Sequence, residues 1–148
     1  MSLIYTIKPF SKLTPQELYS ILQLRNEVFA IEQNCVYPDM DDKDQLSFHL
    51  MGQNDNKLLA YTRLIPPGIS YKEPSIGRVV TSPSIRRSGE GRILMQKSIE
   101  LLRKKYPDQP IRIGAQLYLR NFYSSLGFSL CSSIYLEDGI EHIEMLLG

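Results

Sequence analysis

Apolar side chains recur at helical spacing in two long segments of the chain. Residues 14–17, with the sequence TPQE, have the form of a capping box with proline at the first helical position, and they predict a helix that runs to about residue 29. A second helix is predicted over residues 91–105, and its basic last turn suits the negative end of the helix dipole. The apolar positions of the first helix are Leu18, Ile21, Leu22 and Val28.

Extended segments rich in β-branched and aromatic residues lie around these helices. We predict strands near residues 5–8, 47–51, 57–65, 76–81, 111–115, 128–133 and 140–146, and a short third helix over residues 117–126. Polar turns at residues 52–56 and 137–139 indicate hairpins. Strands before and after each helix indicate an α+β fold, with helices flanking a central, mixed and mostly antiparallel sheet. The 148 residues suit one domain spanning 1–148.

Composition narrows the classes of function. A formal net charge of +1 gives no electrostatic reason to expect nucleic acid or a membrane surface as a partner. No apolar run approaches ~20 residues and the N-terminus lacks the form of a signal peptide, so we expect a cytoplasmic protein. Cys35 and Cys131 are far apart and form no metal-binding spacing, so we expect reduced thiols and no metal site.

A glycine-rich turn between a predicted strand and a predicted helix is the strongest chemical signal. The chain from Ile76 to Leu94 reads IGRVVTSPSIRRSGEGRIL. Such a turn presents unpaired backbone N–H groups at the positive end of a helix dipole, which favours a phosphate or pyrophosphate. Arg86, Arg87 and Arg92 add donors whose geometry suits phosphate oxygens. The sequence therefore predicts a ligand that carries phosphates.

Known phosphate-binding motifs fit this turn unequally. A P-loop would need a lysine followed by serine or threonine, and a dinucleotide-binding turn would need glycine in place of Leu94. The spacing Arg86-x-x-Gly89-x-Gly91 instead resembles the acyl-CoA signature [QR]-x-x-G-x-[GA] of the GNAT superfamily of N-acetyltransferases. The resemblance implies that the turn binds the CoA pyrophosphate, and that an acidic Glu90 is tolerated there only if its side chain points to solvent. The implied binding residues are Arg86, Arg87, Ser88, Gly89, Glu90, Gly91 and Arg92.

A second landmark follows in the expected order. Residues 121–128 read NFYSSLGF and resemble the F-Y-x-x-L-G-F helix and turn of the same superfamily. The resemblance implies that Tyr123 points at the sulfur of acetyl-CoA and protonates the departing thiolate. It also assigns Asn121 to the cofactor site.

The N-terminal half shows a narrower resemblance. Residues 24–37 read LRNEVFAIEQNCVY and resemble the R-x-x-V-F-x-x-E-Q-N-C-x-Y pattern of ElaA-like acetyltransferases. Residues 41–44, with the sequence DDKD, and His49 continue the pattern. The resemblance therefore covers nearly the whole chain.

The resemblance implies direct transfer of an acetyl group from acetyl-CoA, the co-substrate, to an amine within one complex. Polarisation of the thioester carbonyl is then assigned to a backbone N–H on the strand segment Val79, Val80 and Thr81, where main-chain groups are free for the pantetheine arm. No metal takes part in this scheme.

The general base is left open by the residues. Glu32, Asp41, Asp44 and His49 are candidates because each lies in or beside the segment expected to face the acceptor. We select Glu32 and His49, the latter because imidazole exchanges protons near neutrality. The loop over residues 32–49 is expected to line the acceptor pocket and to attract a cationic amine. The alternatives are that its charges only keep a surface loop soluble, and that the acceptor lies along the C-terminal strands near Tyr135.

Two other functions remain open. A non-catalytic acyl-CoA-binding regulatory module would keep the phosphate turn without the proton-handling residues. An enzyme resembling the acyl-homoserine-lactone synthases would share the R-x-x-V-F run. The residues do not distinguish a small-molecule amine from a peptide amine as acceptor, or a monomer from a homodimer.

Overall fold

Three α-helices and eight strands follow one another across residues 2–33 and 38–148, which the computed structural model describes. The helices are α1 (Pro15–Arg25), α2 (Glu90–Lys105) and α3 (Arg120–Ser125), and a π-helical segment, Asn26–Glu32, extends α1. The strands are β1 (Ile4–Pro9), β2 (Phe48–Asn54), β3 (Lys57–Ile65), β4 (Ser75–Thr81), β5 (Ile111–Gln116), β6 (Ser129–Leu130), β7 (Tyr135–Glu137) and β8 (Ile140–Leu147).

The strands form two antiparallel sheets that meet at β4 and β5. The first sheet has the order β1-β2-β3-β4; the second has the order β5-β8-β6, with β7 also paired to β8. Near the start of β4 and β5, the N–H of Arg112 donates to the carbonyl of Pro74 at 3.0 Å. The predicted α+β fold with mostly antiparallel strands and flanking helices is confirmed, and the one central sheet that we expected is divided in two.

The first helix begins where the sequence predicts. The Thr14 hydroxyl accepts from the N–H of Glu17 at 3.1 Å, and the Glu17 carboxylate accepts from the N–H of Thr14 at 2.9 Å, so the capping box is complete. The α-helical pattern ends at Arg25, earlier than predicted, and the chain continues as a π-helix to Glu32. Such π-helical turns often occur at functional sites.

Alternation along β2 and β3 places helices on both faces of the first sheet. Met51 and Tyr61 pack with Ile21, Leu24 and Val28 of the first helical segment. Their neighbours Leu50 and Ala60 point to the other face and pack against Leu94 of α2. Because β3 is buried on both faces, it forms the centre of a three-layered arrangement.

Two tight turns set the register of the hairpins. Asp55 and Asn56 have φ values of 52° and 64°, and they join β2 to β3. Asp138 and Gly139, with φ values of 52° and 76°, join β7 to β8. Positive φ at both positions matches the twist of paired strands, so these turns form where the sequence predicts hairpins. No helix in the described part of the chain has the length and apolar character needed to cross a membrane.

Candidate active site

A cleft of about 680 Å³ lies where the two sheets separate. One side is formed by β4, including Gly77 and Val79, and the other by β5, including Ala115 and Gln116. Tyr123 of α3 also borders it. The cleft therefore brings the predicted catalytic tyrosine next to the strand that leads into the glycine-rich turn.

Tyr123 is held rigidly by neighbouring rings. It is 6% exposed and makes edge contacts with Phe122 and Phe128, with ring centroids 5.2 Å and 6.0 Å away. Burial raises the pKa of the Tyr123 hydroxyl well above its ordinary value, so the group is protonated near neutral pH. Its hydroxyl has no hydrogen-bond partner among residues 2–33 and 38–148, and it is therefore available to donate a proton to a ligand in the cleft.

A β-bulge interrupts the pairing of β4 with β3 where β4 borders the cleft. Pairing with β3 shifts register between Tyr61, opposite Val80, and Arg63, opposite Gly77, so one extra residue is accommodated around Arg78. Arg78 adopts a left-handed conformation with a φ of 50°. Val79 lines the cleft next to this bulge. The neighbouring residues differ, because Val80 is 3% exposed and packs in the core behind the strand, and Thr81 ends β4.

The glycine-rich turn has the conformation that an anion site needs. Gly89 caps α2 with a φ of 84°, and a Cβ atom at Gly89 or Gly91 would find no atom within 4 Å. Arg87 is also left-handed, with a φ of 65°. In the described part of the chain no group accepts the first-turn N–H groups of Gly91 and Arg92. Open space and free donors therefore meet at the positive end of a 16-residue helix.

The side chains of the turn have different surroundings, and some of them stabilise the turn and do not face the open space beside it. The Ser88 hydroxyl donates to the carbonyl of Ile85 at 2.5 Å and braces the turn. Arg87 is exposed. Arg92 points to α3, where it donates to the Ser125 hydroxyl at 2.7 Å and stacks over the Phe122 ring, so it ties two helices together.

Glu90 is turned inward, which removes its conflict with a phosphate. Its carboxylate accepts a 2.5 Å hydrogen bond from the Tyr5 hydroxyl of β1, and the residue is 7% exposed. The sequence analysis accepted an acidic residue at this position only if its side chain pointed to solvent; instead the carboxylate is buried against the first sheet. Asn121 is exposed on α3.

The acidic loop pairs its carboxylates with arginines. Asp44 accepts from Arg25 at 2.8 Å and from Arg63 at 2.9 Å. Arg63 also donates to both oxygens of Asp41, at 2.7 Å and 2.8 Å. Asp39 accepts from Arg25 at 2.8 Å and from Arg78 at 2.9 Å. Three carboxylates are thus matched by three guanidinium groups, so the network carries no net charge.

Neither candidate aspartate is suited to accept a proton near neutrality. Burial alone would raise the pKa of Asp41, but its hydrogen bonds to Arg63 outweigh burial and lower the pKa to about 2. The same balance, with Arg25 as the main partner, lowers the pKa of Asp44. Both side chains are strongly held as carboxylates.

His49 lies inside the core and does not face the cleft. It is 0% exposed on β2, and its ring nitrogens contact the Tyr61 hydroxyl at 2.6 Å and the Asp44 carbonyl at 2.9 Å. Burial lowers its pKa further. The sequence placed His49 beside the acceptor because the loop before it is polar, whereas the register of β2 turns its side chain inward. With both nitrogens engaged and no exposure, it cannot accept a proton from a substrate in this conformation.

Glu32 is placed at the phosphate turn. Its carboxylate accepts from Arg86 at 2.5 Å, and it is absent from the described lining of the cleft. The hydrogen bond to Arg86 lowers the pKa of Glu32, so it is a weak proton acceptor. Of the expected acceptor loop, the cleft is bordered by Pro38, Asp39, Asp41 and Lys43. Residues 34–37 of the ElaA-like pattern, Cys35 included, lie outside the described residues.

Sequence reasoning missed His142, the other histidine of the chain. It lies on β8 beside the cleft, 8% exposed, with its Nε2 3.6 Å from the Glu137 carboxylate. Only its position soon after a predicted hairpin turn, close in sequence to Tyr135, could have pointed to it. Within the described ranges, no group of three His, Cys, Asp or Glu side chains could hold a metal ion.

Comparisons with known proteins agree with this geometry. The family model described as acetyltransferase (GNAT) domain matches residues 11–147. Protein ElaA of Escherichia coli is 41% identical over 137 residues, which are 91% of this chain and 90% of that protein. A UPF0039 protein of Synechocystis is 40% identical over 147 residues, covering 99% of this chain and 96% of its own.

A solved structure extends the likeness to three dimensions. The crystal structure of an acyl-CoA N-acyltransferase from Pseudomonas aeruginosa aligns with a TM-score of 0.95 and 40% identity, over 99% of this chain and 100% of that one. The family match spans residues 11–147, which include the glycine-rich turn, the strands that border the cleft and Tyr123. The chain therefore belongs to the acetyltransferase (GNAT) domain family, with ElaA and UPF0039 proteins among its relatives.

Proposed function

We propose that this protein transfers an acetyl group from acetyl-CoA to an amine, directly and within one complex. The observation that carries the proposal is the position of Tyr123, whose protonated and unpartnered hydroxyl borders a cleft between two separated strands. Family membership implies acyl-CoA binding, and the α2 turn fits such a ligand because its glycines leave open space beside free N–H groups.

Each chemical requirement of amide formation has a candidate group in this chain. The first-turn N–H groups of α2 bind the pyrophosphate, together with Arg86 once it leaves Glu32. A main-chain N–H beside the bulge at Arg78 and Val79 polarises the carbonyl that the amine attacks. Tyr123 donates its proton to the leaving sulfur. The products are an amide and a free thiol.

The test has a binding part and a kinetic part. Calorimetry should detect CoA binding to the wild-type protein, and a panel of amines assayed for free thiol should contain an acceptor. Tyr123→Phe keeps the ring contacts and removes only the hydroxyl, so CoA affinity should persist while kcat falls roughly 10²–10⁴-fold. A Phe variant with wild-type kcat would assign the proton to another donor. CoA binding without turnover of any amine would favour the non-catalytic module.

A further inference from the structure

The two sides of the cleft carry different charge. Among the lining residues on the side of the first sheet, Asp39 and Asp41 are outnumbered by Lys43, Arg63 and Arg78. The opposite side is formed by residues on and next to β5, β7 and β8, and we call it the β7–β8 wall. Its described lining contains carboxylates but no lysine or arginine: Tyr71, Tyr135, Glu137, Asp138, His142 and Glu144. Among these carboxylates, Glu144 is paired with Arg112 of β5 at 3.1 Å. A cation in the cleft is therefore attracted to this wall.

Two phenols pack closely against β5 in this wall. A Cβ atom on Gly114 of β5 would lie 2.8 Å from the Tyr71 hydroxyl and 3.2 Å from the Tyr135 hydroxyl, so only glycine lets both phenols approach the strand. Burial raises the pKa of Tyr71 and of Tyr135, so both hydroxyls stay protonated near neutrality. They can take part in hydrogen bonds but are not suited to remove a proton.

His142 has one ring nitrogen fixed and the other available. Its Nδ1 lies 2.8 Å from the carbonyl oxygen of Ile140. Because a carbonyl only accepts, Nδ1 carries the hydrogen, and Nε2 of the neutral ring has a free lone pair. The Glu137 carboxylate at 3.6 Å from Nε2 is too far for a hydrogen bond, so within the described chain Nε2 has no hydrogen-bond partner. The side chain is nine-tenths buried and borders the cleft.

We propose that Nε2 of His142 accepts the proton of the acceptor, and that the acceptor is an ammonium cation held against the β7–β8 wall. This inference rests on the proposed function and names its base and the charge of its substrate. The four bases considered from the sequence are all engaged elsewhere. Asp41 and Asp44 are carboxylates paired with arginines, and Glu32 is paired with Arg86. His49 is buried in the core.

The chemical step then balances. The ammonium proton moves to Nε2 of His142, and the amine nitrogen forms a bond to the acetyl carbonyl carbon. The bond between that carbon and sulfur breaks, and the sulfur takes the phenolic proton of Tyr123. The nitrogen loses its second proton as the amide forms, and this proton returns through solvent to the Tyr123 phenolate. Exchange with solvent then removes the proton from His142. Glu137 is a positioning residue, because its carboxylate stabilises the imidazolium that forms.

Groups from β5, β7, β8 and the turn between β7 and β8 lie around His142. The groups around His142 are the carboxylate of Glu137 and the ring of Tyr135 on β7, Glu144 on its own strand, and Asp138 in the turn. Its neighbour on β5 is the neutral Gln116.

The kinetic test compares three variants on the best amine of the panel. His142→Gln should lower kcat/KM roughly 10²–10⁴-fold, leave CoA affinity unchanged, and remove the acid limb of the pH profile. Glu137→Gln, at a carboxylate that is 58% exposed, should leave the fold and CoA affinity unchanged and lower kcat/KM by less than His142→Gln does. Glu141→Gln is the matched control, because Glu141 is exposed on β8 one residue from His142. A wild-type pH profile and kcat/KM in His142→Gln would overturn the assignment.

A binding experiment separates this inference from the proposed function. The ring resonances of His142 are followed by NMR while butylamine, 1-butanol or butyrate is added to the wild-type protein with CoA. Shifts with butylamine at concentrations where butanol and butyrate give none are expected, and they would stand even if no amine were acetylated. Equal shifts with all three, or none with butylamine, would refute the cationic acceptor, whereas a wild-type protein that neither binds CoA nor acetylates any amine would refute the proposed function.

Discussion

Replacement of Gly89 tests CoA binding at the glycine-rich turn. The structure allows its effect on stability to be predicted separately from its effect on CoA affinity. Gly89 has a φ of 84°, a conformation in which a residue with a Cβ atom loses roughly 1–2 kcal/mol. No atom lies within 4 Å of that Cβ position, so crowding adds nothing in the free protein. Gly89→Ala and Gly89→Leu should therefore lose about the same 1–2 kcal/mol of unfolding free energy, and their Tm should fall by roughly 2–8 °C.

The two variants should differ in CoA binding. An alanine methyl intrudes little, but a leucine side chain fills the space beside the first-turn N–H groups. Loss of one charge-assisted hydrogen bond costs about 1.5–3 kcal/mol, which is roughly 10- to 150-fold in affinity, and Leu should exclude more than one. Calorimetry with CoA on folded protein measures this directly. A Gly89→Leu protein that is folded and binds CoA like wild type would refute the phosphate turn.

Gly91 supplies the matched control, because it also has open space but lies in the first turn of α2. The acyl-CoA signature allows alanine at this position. Gly91→Ala should raise the unfolding free energy by about 0.4–1 kcal/mol, since alanine reduces the freedom of the unfolded chain, and should keep CoA affinity. Loss of affinity in both alanine variants would indicate a general distortion of the turn.

Three further predictions concern the charged groups around the site. Asp44→Asn removes the carboxylate shared by the buried guanidinium groups of Arg25 and Arg63, which keep Asp39 and Asp41 as partners, so urea unfolding should show a loss of about 1.5–3 kcal/mol; an unchanged stability would contradict this account of the network. In the wild type, the folded pKa of Asp41 is about 2 against 3.8 in the unfolded chain, and that of Asp44 is also lowered, so their stabilisation is present above pH 4 and should be lost as pH falls from about 4 toward 2. Glu32→Gln frees Arg86 from its anionic partner, and at low salt the variant should bind CoA a few-fold more tightly with unchanged kcat, whereas a large loss of kcat would make Glu32 catalytic.

Local chemistry explains what could be predicted of the fold. The capping box at Thr14, the hairpin turn at Asp55 and Asn56, and the glycine at position 89 act through groups within a few residues of each other. Their conformations are therefore determined by short stretches of sequence. The same is true of the strand-to-helix turn, so its place before α2 was predictable before the fold was known, whereas phosphate binding there stays a prediction.

The proton-handling groups depended on contacts between distant segments. His49 and the acidic loop looked alike in sequence, yet strand register buried the histidine and brought Arg25, Arg63 and Arg78 onto the carboxylates. Those arginines lie on a helix and two strands, so no local sequence pattern predicts that they pair with the carboxylates. The direction of Glu90 was likewise decided by Tyr5, 85 residues away.

The sequence by itself determined the helices, the turns, the glycine-rich segment before α2 and the family, because each depends on neighbouring residues or on a motif of fixed spacing. Only the tertiary structure decided which charges are neutralised and which histidine borders the cleft. Charge and burial depend on what surrounds a group in space, and in this chain the separation of two sheets is what brings His142 to the cleft.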